Sequence, residues 1–139
     1  MTFAKKRTKA YVVPVSLAEL TLKDKLNLDK AVEKDYDGFS KEEVFQKSVI
    51  GFCQIWRLGD FEGILVTEII QQNVGKQLWV PLLAGRNFFK NLDRIEKALE
   101  VYAKEQGCKT FRCAATREGM QKRYAKRWKE IARIYERSV

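Results

Sequence analysis

The sequence predicts a mixed α+β fold. A central, mostly antiparallel sheet carries one parallel strand–helix–strand crossover, with helices on both faces. Three observations carry this expectation. Two apolar runs, 49–58 and 64–70, flank the glycine-bounded turn Gly59-Asp60-Phe61-Glu62-Gly63, which reads as an antiparallel hairpin. Between residues 93 and 107 the spacing turns helical: Ile95, Ala98, Leu99, Tyr102 and Ala103 fall on one face, and Gly107 stops the helix. Apolar strands at 78–84 and 110–115 bracket that helix, so the path is a parallel crossover, right-handed by the usual rule.

The elements follow in order. Residues 11–15 read as a first strand, and Pro14 places it at an edge or a bulge, because proline donates nothing to a ladder. Ser16-Leu17-Ala18-Glu19 has the capping-box pattern, so a helix is expected to open at Leu17 and run to about residue 34. Asp35-Tyr36-Asp37-Gly38 is a turn. A second helix opens at Ser40, with Glu43 three residues on and Phe39 stapled onto Val44, and ends near Lys47. The strand at 49–58 and its partner at 64–70 come next, then a turn at 71–76 containing Gly75. In the strand at 78–84, Pro81 predicts broken or bulged pairing. After the crossover a short basic helix spans 121–127, and alternation predicts a last strand from Trp128 to about residue 137.

Composition bounds the rest. With 139 residues, 45% hydrophobic and 12% aromatic, the chain reads as a single domain over 1–139 with a packed core. No apolar stretch approaches the roughly 20 residues that span a bilayer, and no apolar run follows the first charges as in a secretory signal, so no membrane is expected. The three cysteines, Cys53, Cys108 and Cys113, form no CxxC pair. They point to a reducing compartment, and Cys53 and Cys113 read as buried strand residues. Histidine is absent, which removes Ser-His-Asp and Cys-His mechanisms and most zinc sites; no metal is expected. Acid–base work falls to Glu, Asp, Tyr, Lys or water.

The net charge of +9 lies at the two ends. The arm 1–9 carries Lys5, Lys6, Arg7 and Lys9, and residues 117–137 carry eight further Lys or Arg against three Glu. Residues 10–116 are neutral overall. Concentrated positive charge favours nucleic acid, CoA phosphates or an acidic protein surface; a solvated helix face and a loose arm explain it as well.

The element order, the stretch 98–108 ending in Gly107-Cys108, and Arg123-Tyr124-Ala125-Lys126-Arg127-Trp128 together resemble the Gcn5-related N-acetyltransferases over nearly the whole chain. The pairing of Gln54-Ile55-Trp56 with Gly63-Ile64-Leu65-Val66-Thr67, then Gly107-Cys108 and Arg117-Glu118-Gly119, is similar to small acetyltransferase-like proteins of tailed bacteriophages. That likeness implies the cytoplasm of a bacterial host, or a virion, as the location, and other virion proteins as partners.

The family resemblance implies acetyl-CoA as cofactor, held by Leu83, Gly85, Arg86, Asn87 and Lys90. It implies Tyr124 as the acid that protonates the leaving thiolate, and Glu68 is a candidate base for an amine. A sheet-packing aromatic explains Tyr124 equally, and strand alternation explains Glu68. The family's phosphate loop is Gln/Arg-x-x-Gly-x-Gly/Ala, whose glycines let backbone amides approach a pyrophosphate. Here the matching stretch is Gly85-Arg86-Asn87-Phe88-Phe89-Lys90-Asn91. Arg117 stands where the family has an asparagine, and the glycine expected before Trp128 is missing. The first expectation is therefore a catalytically degenerate, acetyltransferase-like interaction module of a phage particle. An active acetyl-CoA-dependent N-acetyltransferase is the second. A small nucleic-acid-binding protein, using the arm 1–9 and residues 117–137, is the third.

Overall fold

The computed structural model describes residues 10–33, 39–113, 128–131 and 137–138. Among the described residues, five strands form one sheet in the order β1-β2-β3-β4-β5. They are β1 (Val12–Val15), β2 (Cys53–Leu58), β3 (Gly63–Gln72), β4 (Gly75–Gly85) and β5 (Cys108–Cys113). The first four pair antiparallel and β5 joins β4 in parallel. Three α-helices accompany them: α1 (Leu22–Glu33), α2 (Lys41–Val49) and α3 (Leu92–Glu105). The expected α+β class, with one parallel crossover through α3, is the fold observed. Pro14 lies on the edge strand β1, where its missing N–H costs no central ladder bond.

Each sheet face has its own core. Val12, Trp56, Leu58, Leu65 and Leu78 meet Ile95, Leu99 and Ala103 of α3. On the other face Ile55, Ile64, Val66 and Leu82 meet Leu28 and Ala31 of α1 and Val44 of α2. Alternation along β3 sends Ile64 and Val66 one way and Leu65 the other, which is why a strand apolar on both sides reads as central.

β3, β4 and β5 extend beyond their expected spans by up to three residues at their ends, and three readings differ in kind. No α-helix opens at Leu17. Ser16 N–H donates to Glu19 Oε1 at 3.0 Å, but the turn Leu17–Glu19 is 3-10 and stops at extended Leu20. The helix starts afresh at Leu22 because Thr21 and Asp24 cap each other: Asp24 N–H donates to Thr21 Oγ1 at 3.2 Å and Thr21 N–H to Asp24 Oδ2 at 3.0 Å.

The second difference is at 49–52, expected as strand. Residues 50–52 instead close α2. Gly51 is left-handed at φ +86°, Phe52 N–H donates to Lys47 O at 2.8 Å, and Gly51 N–H donates to Ser48 O at 3.3 Å. These two bonds are the Schellman closure, which claims the helix's last carbonyls and delays β2 to Cys53. The third is the last strand, since Trp128 to Ile131 are not in a strand. Trp128 docks sideways instead: its Nε1–H donates to Glu96 Oε1 at 3.0 Å, and its ring meets Phe111 edge-on at 4.7 Å.

The expected turn at 35–38 and the short helix at 121–127 lie outside the described residues, and the Ser40 signal holds. Ser40 accepts from Glu43 N–H at 3.2 Å, as its capping pattern predicts. The two motif strands are tied by a buried bond, Trp56 Nε1–H to Thr67 Oγ1 at 2.9 Å. Thr67→Val leaves that indole donor buried and unpaired. It is expected to lower unfolding free energy by about 1–3 kcal/mol, read from the urea midpoint.

Candidate functional site

The site begins on β4 beyond its last described pair with β5. Their parallel register ends at Val80↔Cys113 among the described residues, while β4 continues to Gly85. The next residue on β4 is Pro81, which has no N–H to donate. The β3–β4 register also shifts there: between the pairs Glu68↔Trp79 and Val66↔Leu82, β4 carries one residue more than β3. Pro81 therefore lies at a bulge, as its chemistry predicts.

Beyond the bulge the ladder is regular, and its parity follows from one bond. Arg86 N–H donates to Glu62 O at 3.0 Å, opposite Glu62 in the register. Bonded pairs alternate along an antiparallel ladder. So Leu82 and Ala84 bond toward β3, while the amides and carbonyls of Leu83 and Gly85 point away from it, toward the β5 side. Two of the expected cofactor positions thus turn their backbone groups to the same side of β4.

The chain then turns at Gly85-Arg86-Asn87 into α3. Asn87 is left-handed at φ +57°, a conformation asparagine tolerates. Its carbonyl accepts from Asn91 N–H at 3.2 Å and from Asn91 Nδ2–H at 3.0 Å. Asn91 is thereby turned back from the helix it precedes, and its side chain does not cap the first amides of α3. Arg86, Lys90 and Arg94 are exposed around this end, and Asp93 in the first turn opposes them in charge. An uncapped helix start beside three cations suits a phosphate, although the loop lacks the family's glycines.

Gly85 has a second duty here. A Cβ on it would lie 3.1 Å from Gly63 Cα and 3.3 Å from Glu62 O. The glycine is required by the close crossing with β3 as much as by any ligand.

Glu68 lies on the α1/α2 face, in register with Cys53 on β2 and Trp79 on β4. It is not a free carboxylate. Lys47 Nζ of α2 donates to its Oε2 at 2.9 Å, and Cys53 Sγ lies 3.6 Å from the same oxygen. The hydrogen bond to Glu68 pushes Lys47 above the ordinary lysine range, and burial works against it. Burial pushes the Cys53 thiol up to about 12, and the charge of Glu68 adds to this. Cys53 is therefore neutral and fills space, as its strand position predicts.

The structure brings Leu83, Gly85, Arg86, Asn87 and Lys90 along the end of β4 and its exit turn. Glu68 stands beside the last paired residues, on the α1/α2 face. Tyr124, Arg117 and the arm 1–9 lie outside the described residues. Sequence reasoning missed Tyr11, whose hydroxyl donates to Glu62 Oε2 at 3.0 Å and whose ring lies 5.5 Å from the Arg94 guanidinium. Burial, then Glu62, push this phenol up to about 12. It also missed buried Gln77, whose amide has no partner, and Trp79 Nε1, likewise unpaired. No local signal marks any of these: the partners of Tyr11 are remote in sequence, and the burial of Gln77 and Trp79 is set by the sheet.

No family model and no curated protein matches the sequence. Solved structures do match. A crystal structure of a probable acetyltransferase aligns with a TM-score of 0.61 at 16% identity, over 92% of this chain and 95% of that one. Aminoglycoside N-acetyltransferase AAC(6')-Iy in complex with CoA aligns at 0.57 and 14%, over 91% and 93%. The same enzyme in complex with the bisubstrate analog CoA-S-monomethyl-acetylneamine aligns at 0.60 and 14%, over 92% and 97%. The likeness spans both chains almost entirely, and at these identities it establishes architecture: the chain has the fold of the Gcn5-related N-acetyltransferases.

Proposed function

We propose that the chain binds an acetyl-CoA-type thioester along β4 and transfers its acyl group to an amine. The observation that carries this reading is the stretch of β4 beyond the Pro81 bulge, where the backbone groups of Leu83 and Gly85 face away from β3. An extended chain with alternating amides is the complement of such a stretch. At its end, Arg86 and Lys90 meet phosphates through their side chains, beside the uncapped start of α3. This is a side-chain cradle in place of the family's glycine loop.

When bound, the thioester supplies an activated acyl carbonyl. The chain's own groups handle the protons. Glu68 takes one from the attacking amine, and Tyr124 gives one to the departing sulfur. The new bond is amide C–N and the broken one is thioester C–S.

The second reading is a module that has kept the fold and lost the reaction, serving contacts with other virion proteins. Asp93 in the first turn of α3 and the hold of Lys47 on Glu68 favour it. Nucleic-acid contact through residues 1–9 and 117–137 rests on their charge alone, and retention on DNA at low salt tests it.

Thermal shift and calorimetry with acetyl-CoA separate the two main readings. Ligand at 100 times Kd is expected to raise stability by about 2.7 kcal/mol. Arg86→Ala is expected to weaken that binding about tenfold, and less so at high salt. No shift at millimolar acetyl-CoA removes the enzyme reading; a full shift indifferent to Arg86 removes the phosphate cradle.

A further inference from the structure

We propose that Phe39, Cys53 and Glu68 form the ammonium site of the acyl acceptor, and that Lys47 is its resident occupant, displaced by an incoming primary alkylamine. The proposal rests on the acyltransferase reading and adds to it the acceptor's chemical class and the residue that guards its place.

The contacts of Lys47 are those by which proteins recognise alkylammonium ions. Its Nζ is 2.9 Å from Glu68 Oε2 and 4.8 Å from the centroid of the Phe39 ring. A carboxylate on one side and an aromatic face on the other bind such a cation through charge, hydrogen bond and ring quadrupole together. Cys53 closes a third side at 3.6 Å from the same carboxylate oxygen.

The occupant is also replaceable. Lys47 lies in the last turn of α2, and its side chain remains 34% exposed, against 17% for Glu68. An ion pair this open to water holds weakly, and a lysine stem leaves it without moving the backbone. The cradle therefore opens from the solvent side while its carboxylate stays in place.

Its position suits an acceptor. Glu68 is in register with Trp79, which pairs with Arg112 of β5 and lies two residues before Pro81, so the cradle borders the bulge on β4. Next to it on the same face, Gln77 is 1% exposed, and its Nε2 and Oε1, with Trp79 Nε1, have no hydrogen-bond partner. Buried polar atoms left unpaired are costly and call for an account. Hydroxyl or amide groups on the acceptor's carbon frame are their complement, so the acceptor is a primary alkylamine bearing such groups.

The test uses n-propylammonium chloride as the probe, with sodium chloride at equal ionic strength and 1-propanol as controls. Lys47→Ala is expected to gain a few degrees in Tm from about 0.1 M propylammonium and nothing from either control. Wild type and Lys47→Arg, whose own cation fills the cradle, are expected to gain at least fivefold less. Glu68→Gln added to Lys47→Ala is expected to abolish the gain. Equal responses in Lys47→Ala and wild type, or a gain that survives Glu68→Gln, overturn the proposal. Should Lys47→Ala not fold alone, recovery by propylammonium but not by sodium supports the cradle, and failure to recover overturns it.

With acetyl-CoA present, Lys47→Ala is expected to lower KM for propylamine about tenfold. An unchanged KM overturns the cradle while leaving acyl transfer intact. Propylammonium bound through Glu68, with neither propylamine nor the hydroxyl-bearing ethanolamine acetylated, leaves the cradle standing and removes the acyltransferase reading.

Discussion

Replacing Arg57 by methionine is expected to destabilise the protein by about 3–5 kcal/mol, because it leaves a buried carboxylate without its cation. Asp24 is wholly buried. Arg57 grips it with two nitrogens: Nε lies 3.0 Å from Oδ1 and Nη2 lies 2.7 Å from Oδ2. The pair joins α1 to β2, and Asp24 caps α1 through Thr21 at the same time. The reverse change, Asp24→Asn, is expected to cost less, about 2 kcal/mol, because the Arg57 side chain is 21% exposed and keeps access to water. Urea denaturation of both single variants and the double variant checks the order; equal losses would contradict it.

The same pair sets a pH signature. Burial pushes the Asp24 carboxyl up, but the Arg57 guanidinium and the two Thr21 groups outweigh it and hold the carboxyl below its ordinary value. A group depressed in the folded state contributes stability that is complete above its unfolded value of about 4 and is lost as pH falls through the folded value. In Arg57→Met burial acts with less opposition. The gap between wild type and that variant is therefore expected to be widest at neutral pH and to narrow below about pH 4. A gap that widens in acid would refute this assignment.

Gly63→Ala is the second large effect expected, about 2–3 kcal/mol. Gly63 is buried at the start of β3, and a Cβ there would collide with the Ala84 carbonyl oxygen and lie 2.6 Å from Gly85 Cα. Both obstacles are backbone and cannot swing aside. Gly51→Ala is the contrast. It meets nothing within 4 Å, so only its left-handed φ of +86° resists, at about 1–2 kcal/mol. The collision at Gly63 also displaces the end of β4 that carries Leu83 and Gly85. Acetyl-CoA affinity is therefore expected to fall in Gly63→Ala and to hold in Gly51→Ala, measured by calorimetry on the folded fraction.

Much of this architecture is legible in short windows. The Ser40 cap, the Gly107 stop, the apolar face of α3 and the proline at the β4 bulge each depend on residues a few positions apart. Propensity and spacing act at that range, so those readings needed no tertiary information. The misreadings have a local cause too. At 49–52 the residues favour strand, and the closure of α2 by Gly51 and Phe52 overrides them.

The candidate site divides the same way. The exit turn Gly85-Arg86-Asn87 and the candidacy of Glu68 are readable from residue type and order. That Glu68 is held by Lys47, 21 positions away, is not. Nor are the grip of Arg57 on Asp24 across 33 positions and the bond from Tyr11 to Glu62 across 51. The sequence by itself determined the class of the fold, most of its strands and helices, and that one crossover is parallel, because hydrophobic period and turn chemistry are local quantities. Only the tertiary structure decided which charges meet and which glycine faces which strand, because those depend on the register of the sheet and on which helix covers each face.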